Sequence, residues 1–405
     1  MIANFSVYNY RSIGRRQQIS FVSTSDKTNK DFLTEEVAKG VFINKVGIFF
    51  GANASGKSNI LQAIQSVFSI MSIPKKDKND RIKEYIPFRM IAGSPAEMSI
   101  DFYLDGIKYT YEVSYNQKDI LRESLIYVPS RSKALIYSRE LTGDDTQPWI
   151  SFGTTLNLSH ATKETLKENT FNNSSVLSSV SKLSLKEDAN PLIKILKWIE
   201  GRIITIDNID SIPKYAEELQ KIDKNEEKRS LYIQLLAKAD FNISNFRVIP
   251  QKEGTGEGDI EVMFTSRTQE GTFETPIQLQ SEGTLRFIEL IDVLYNVGHG
   301  NYIYLLDELG NKLHFELIAY FLRLFLHSAD ASQILFTTQS ILLLDEDFLR
   351  NDAIYLTEKD PVAASTAYQR VSDMGLKKNA SLYKMYRMGK LGSIPEVGSP
   401  YLPSR

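Results

Sequence analysis

The chain has 405 residues, room for two or three domains at roughly 150 residues each. Its 48 Lys plus Arg against 50 Asp plus Glu give a net charge of −2, which excludes a globally basic nucleic-acid coat, and its 42% apolar content excludes a disordered chain. With no cysteine, disulfides, Cys-ligated zinc, iron–sulfur clusters and thiol nucleophiles are all excluded, and the four histidines (His160, His299, His314, His327) show no metal-ligating spacing.

In chain order, Ile2–Tyr8 and 18–22 read as two strands joined around Arg11 to Arg16. The opening residues lack the basic segment and apolar core of a signal peptide, and no run of about 18 apolar residues follows anywhere. No membrane helix and a cytoplasmic location are therefore expected. After a polar stretch, Val46–Phe50 is apolar on both faces, as a buried parallel strand should be. Over 57–71 the apolar residues Ile60, Leu61, Ile64, Val67, Phe68 and Met71 fall at helical spacing. The alternating runs 98–104 and 108–115 flank Asp105-Gly106, a hairpin signal.

From about 155 to 240 the pattern turns polar and helical. Pro191 opens a helix with Leu192, Ile195, Leu196 and Ile199 on one face. The mixed-charge run 211–230 reads as a solvated helical face. Strands are expected at 246–250 and 259–264, with a glycine turn at 254–258 between them, and again at 273–279. The last third alternates helix (283–297), strand (302–306), helix (314–327) and strand (333–337), which implies a parallel sheet with helices packed on it.

The chemistry sits where strand meets helix. Gly51, Ala52, Asn53, Ala54, Ser55, Gly56, Lys57 and Ser58 match G-x-x-x-x-G-K-[ST], with Asn59 next, a buried strand before and an amphipathic helix after. Glycines let successive N–H groups face an anion, and the helix N-terminus adds its positive dipole end. Lys57 would reach the β- and γ-phosphates of ATP and Ser58 would ligate Mg²⁺. Asp307 and Glu308 close the strand 302–306. Asp307 is expected to hold the metal and Glu308 to act as general base toward water. Ser281-Glu-Gly-Thr284 carries the pattern of a helix N-cap.

These motifs, with Leu313-His314, the strand ending Thr337-Thr338, Tyr10-Arg11-Ser12 near the start and Ser381 to Pro395 near the end, resemble the ABC/SMC-type ATPases. More narrowly they resemble the OLD-like AAA ATPases of bacterial anti-phage defence loci, with their RloA, AbiLi and PARIS-type relatives. The resemblance implies an α/β fold: a P-loop ABC-type ATPase head, with a mixed sheet plus an antiparallel β subdomain, and an inserted helical lid. Its parts would be 1–154 (P-loop and β subdomain), 155–265 (lid and dimerisation insertion) and 266–405 (signature and acidic strand). It implies homodimers or larger rings sharing ATP sites, in which Ser281, Gly283 and Thr284 of one copy serve the nucleotide held by the other. Many such relatives carry Thr-Thr-His where this chain reads Thr337-Thr338-Gln339. The resemblance places Gln339 at the γ-phosphate, and the uncharged amide suggests slow turnover or a nucleotide-locked scaffold. The metal-dependent nuclease domain of OLD proteins needs well over 100 further residues, and about 65 follow Gln339. The effector, a nuclease above all, is thus expected to be a separate subunit. The alternative is an SMC-like DNA-tethering repair ATPase, with nucleic acid bound near Lys75 to Lys78 or 214–229.

Overall fold

The computed structural model describes residues 1–129, 132–142, 147–154, 158–183, 191–206, 211–239, 241–249, 260–376 and 380–392. Chain order begins with β1 (Ile2–Tyr8), β2 (Gln17–Ser20), the short α1 (Lys30–Leu33), β3 (Thr34–Ala38), β4 (Val41–Asn44), β5 (Val46–Phe50) and α2 (Lys57–Ser72). It continues through β6 (Ala96–Leu104), β7 (Ile107–Tyr115), β8 (Ile120–Val128), β9 (Ala134–Glu140) and β10 (Trp149–Phe152). Next come α3 (His160–Asn169), α4 (Val176–Val180), α5 (Pro191–Arg202), β11 (Ile203–Ile206), α6 (Ile212–Asp223) and α7 (Glu226–Lys238). The remainder is β12 (Ile243–Ile249), β13 (Glu261–Arg267), β14 (Thr272–Pro276), α8 (Glu282–Val297), β15 (Ile303–Leu306), α9 (Phe315–Ser328), β16 (Gln333–Thr338), β17 (Ile354–Lys359), β18 (Thr366–Arg370) and α10 (Leu382–Arg387).

The chain divides into two compact units: Met1–Thr205 with Tyr302–Glu308 and Ala331–Arg405, and Ile206–Asn301 with Leu309–Asp330. The stretch 155–265 falls partly in each, and its described part holds β11, β12 and most of β13 as well as helices.

In the first unit a six-stranded sheet runs in the order β11-β15-β16-β5-β17-β18. Every residue of β5 is buried, because parallel partners flank it on both sides and both of its faces are covered. Registers Leu306↔Phe336, Phe50↔Thr338 and Phe50↔Leu356 align the carboxyl ends of four parallel strands, so whatever follows them shares one edge. Open α/β sheets bind ligands at that edge. Helix α2 lays Ile60, Ile64, Val67 and Met71, all buried, into the core.

A seven-stranded antiparallel sheet, β10-β9-β8-β7-β6-β1-β2, completes the unit. Asp105 (φ 50°) and Gly106 (φ 77°) turn β6 into β7, as a two-residue hairpin with positive φ at both positions requires. Its inner face buries Ile100, Phe102, Tyr109, Tyr111 and Leu125. The two ends of the chain are stitched together. Ile2 N–H donates to Gln333 Oε1 at 2.9 Å, and Ser20 N–H to the Tyr355 hydroxyl at 2.7 Å. Asp352, buried, takes a fork from Arg350 (2.9 and 2.7 Å) together with the N–H and hydroxyl of Thr24 (2.7 and 2.8 Å).

The second unit packs the antiparallel sheet β12-β13-β14 with α6, α7, α8 and α9. Helix α8 is buried along most of its length and carries a paired Arg286 and Glu289, with the Tyr215 hydroxyl donating to Glu289 at 2.5 Å. The strand expected over 273–279 ends at Pro276, which has no N–H for the ladder, and Ile277–Leu279 forms a 3₁₀ turn. The turn expected at 254–258 lies outside the described residues.

Candidate nucleotide site

At the carboxyl end of β5 the backbone turns through 51–56 into α2. Gly56 caps the helix at φ 100°, a region open to glycine, and Ala54 at φ 62° also takes a left-handed conformation. Gly51 has no space for a side chain, since a Cβ there would stand 2.5 Å from Thr357 O and 2.7 Å from Ser55 Oγ. Asn53 and Ala54 crest the loop in solvent.

Lys57 is buried and folds back over the loop, donating to the carbonyls of Gly51 (2.9 Å) and Ala52 (2.8 Å). Burial lowers its pKa, while the charges of Glu308 and Asp307 pull it back up. An ammonium so placed gains from any anion that arrives beside it.

The acidic pair reaches the same edge. Asp307 follows β15 and accepts the Ser58 hydroxyl at 2.8 Å, and the Thr337 hydroxyl also donates to it. Two hard oxygen donors, a hydroxyl and a carboxylate, fit Mg²⁺, which keeps waters and substrate phosphates as its other ligands. Among the described residues no group of three His, Cys, Asp or Glu side chains forms a metal cage. Glu308 has φ 51°, a conformation that costs a non-glycine residue roughly 1–2 kcal/mol. Its N–H donates to Thr337 Oγ1 at 2.8 Å, which holds the turn. Gln339, exposed after β16, donates from Nε2 to Glu308 Oε1 at 3.3 Å. The amide by which this chain departs from the Thr-Thr-His pattern thus touches the acidic residue.

Two partners of the loop, Thr366 and Tyr368, were not visible as candidates in the sequence. Thr366 Oγ1 donates to Ser55 O (2.8 Å) and pairs with Ser12 Oγ (2.6 Å), to which Asn59 Nδ2 also donates (2.5 Å). The Tyr368 hydroxyl donates to Gly56 O at 2.8 Å. The two-residue spacing of Thr366 and Tyr368 on one strand face was their only signal. Ser55 Oγ and Thr357 Oγ1, both buried, have no hydrogen-bond partner among the described residues. Replacing Thr357 by valine keeps the branched shape and deletes an unpaired hydroxyl, so it should stabilise the fold by about 1 kcal/mol. A higher midpoint in denaturant titration is the expected reading, and a lower one would mean the hydroxyl is satisfied.

In the second unit Ser281 caps α8, its Oγ accepting Thr284 N–H at 3.0 Å and lying 2.8 Å from Thr284 Oγ1. Gly283 is required by close approach, because a Cβ would stand 2.8 Å from Lys312 O. His314 caps α9 from an exposed position, Nδ1 accepting Glu316 N–H at 3.3 Å; it is not packed within the helix.

A strand–loop–helix with a buried lysine and a serine paired to the aspartate of a neighbouring parallel strand is the arrangement of a P-loop domain of the AAA class. The chain belongs to the family described as "AAA domain, putative AbiEii toxin, Type IV TA system", whose profile matches residues 48–345. No curated protein matches it. Among solved structures it is similar to the SMC head domain from Thermotoga maritima, at 12% identity and TM-score 0.43 over 91% of this chain and 98% of that one. It is also similar to an Smc head bound to the C-winged helix domain of ScpA, at 14% identity and TM-score 0.43 over 92% and 98%. A third is the Smc head domain with an extended coiled coil, bound to the C-terminal domain of ScpA derived from Pyrococcus furiosus, at 14% identity and TM-score 0.45 over 92% and 97%. Among the described residues no helix is long and apolar enough to cross a membrane.

Proposed function

We propose that the chain binds and hydrolyses ATP with Mg²⁺, and that the nucleotide state of a homodimer or larger assembly controls a separate effector subunit in cytoplasmic anti-phage defence. The observation that carries the nucleotide reading is the meeting of Ser58 and Asp307, far apart in sequence, at 2.8 Å on the edge that holds the loop. In this reading the N–H groups of 51–58 receive the phosphates, and Lys57 exchanges the carbonyls of Gly51 and Ala52 for β- and γ-oxygens. Ser58 and Asp307 exchange their mutual hydrogen bond for the metal. Ser58 and Asp307 would hold Mg²⁺, whose charge would offset that of the bound phosphates. Glu308 takes the proton of the attacking water, and Gln339 orients the Glu308 carboxylate.

Ser281, Gly283 and Thr284 are proposed to serve the nucleotide of a second copy, supported by the exposed position of Ser281 at the start of a 16-residue helix. The defence setting draws support from the sequence resemblance and from the family's description as a toxin of a type IV toxin–antitoxin system.

Lys57→Ala removes the ammonium and should abolish ATP binding, read by equilibrium dialysis with labelled nucleotide. Binding equal to the parent protein would end the nucleotide reading. Affinity purification from the native host in the presence of ATP should recover an effector subunit, and recovery of the chain alone would remove the control role.

A further inference from the structure

A phosphate loop works only if its N–H groups turn outward, and in a planar trans peptide the C=O and the following N–H point in opposite directions. No peptide bond of the described chain is cis. Whatever ties a loop carbonyl down on the inner side therefore aims the next N–H at the ligand. Lys57 holds the carbonyls of Gly51 and Ala52, but it must release them to meet a phosphate. The carbonyls of Ser55 and Gly56 are held by groups with no such competing duty: Thr366 Oγ1 at 2.8 Å and the Tyr368 hydroxyl at 2.8 Å.

We propose that Thr366 and Tyr368, on the hairpin strand β18, are positioning residues that orient the Gly56 and Lys57 N–H groups toward the bound phosphates. The inference rests on the nucleotide reading above and adds to it an element that the loop motif does not contain.

The anchor is rigid. Both Thr366 and Tyr368 are buried, and Thr366 N–H donates to Ser12 O at 2.8 Å. Ser12 Oγ joins Thr366 Oγ1 (2.6 Å) to Asn59 Nδ2 (2.5 Å), tying the first turn of α2 into the same cluster. Gln17 Oε1 accepts Tyr368 N–H at 3.0 Å. The fit leaves no slack, since a Cβ on Gly56 would stand 2.3 Å from Thr366 Oγ1 and 2.8 Å from Ser12 Oγ. Glycine at 56 is thus demanded by the hairpin as well as by its positive φ.

The test uses the full chain, with a fluorescent ATP analogue and inorganic triphosphate as probes. Thr366→Val keeps the shape and removes the donor, and Tyr368→Phe removes the other. Each should weaken both probes about tenfold, because a lost hydrogen bond near 1.4 kcal/mol is a factor of ten. In turnover the change should appear in KM, with kcat little altered, and Thr366→Ser should restore affinity. A merely structural role would lower unfolding stability and leave affinity untouched. If Thr366→Val does not fold, Tyr368→Phe carries the test. Affinities of both variants within twofold of the parent protein would overturn the positioning role alone. A parent protein that binds neither probe would overturn the nucleotide reading and this inference with it.

Discussion

Glu308→Gln is expected to lower ATP turnover by about 10²–10⁴-fold while nucleotide binding is retained, because general-base assistance contributes on that order. The substitution is nearly isosteric. It keeps an oxygen for the Gln339 amide, which donates to Glu308 Oε1, and leaves the backbone turn held by Thr337 Oγ1 untouched. What disappears is the capacity to accept a proton. Single-turnover phosphate release measures the chemical step, and gel filtration with ATP measures assembly. The variant should accumulate as a nucleotide-bound dimer. Turnover at the parent rate would remove Glu308 from the base role and leave the acidic turn as a structural cap.

The second large effect concerns the stitch between chain ends. Asp352→Ala should destabilise the first unit by about 3–5 kcal/mol, since Arg350 would stay buried without its counter-ion. The acid dependence follows from the same contacts. Burial pushes the Asp352 carboxyl up, but hydrogen bonds from Arg350 and Thr24 outweigh it and hold the group below its ordinary range. A depressed carboxyl stabilises the fold above its unfolded pKa, about 3.9, and that contribution is lost as pH falls through the lower folded value. Denaturant titrations at pH 7 and in acid should therefore converge for parent and variant. A gap that stays constant into strong acid would assign the effect to lost packing.

The sequence displayed the candidate nucleotide site at its two densest points. Val46–Phe50 is apolar at every position, the residues from Ile60 to Met71 keep helical spacing, and the loop motif lies between them. Asp307 and Glu308 stood out because an acidic pair closes an apolar strand. What escaped was the support. Thr366 and Tyr368 lie more than 300 residues from the loop they hold, in a short hairpin whose turn begins at Asp360, and no local period links a strand to a distant carbonyl. The β3–β4 hairpin was hidden by Glu35 and Glu36, adjacent charges that put a carboxylate on each face of β3 and break the apolar alternation. Gln339 was noticed as a departure from histidine, yet its contact with Glu308 depends on the left-handed turn at Glu308, which spacing cannot announce.

Because Ser12, Asn59 and Thr366 close one cluster, the loop 51–56 cannot take its final form until Thr366 has left the ribosome. Thr366 emerges 309 positions after Lys57 (366 − 57), a wait of roughly 15–60 s at ordinary rates of synthesis. For most of that interval β5, apolar on every side, has neither β16 nor β17 to cover it. Chaperone demand in the cell should therefore last until β16 and β17 have emerged, and products terminated before them should be insoluble.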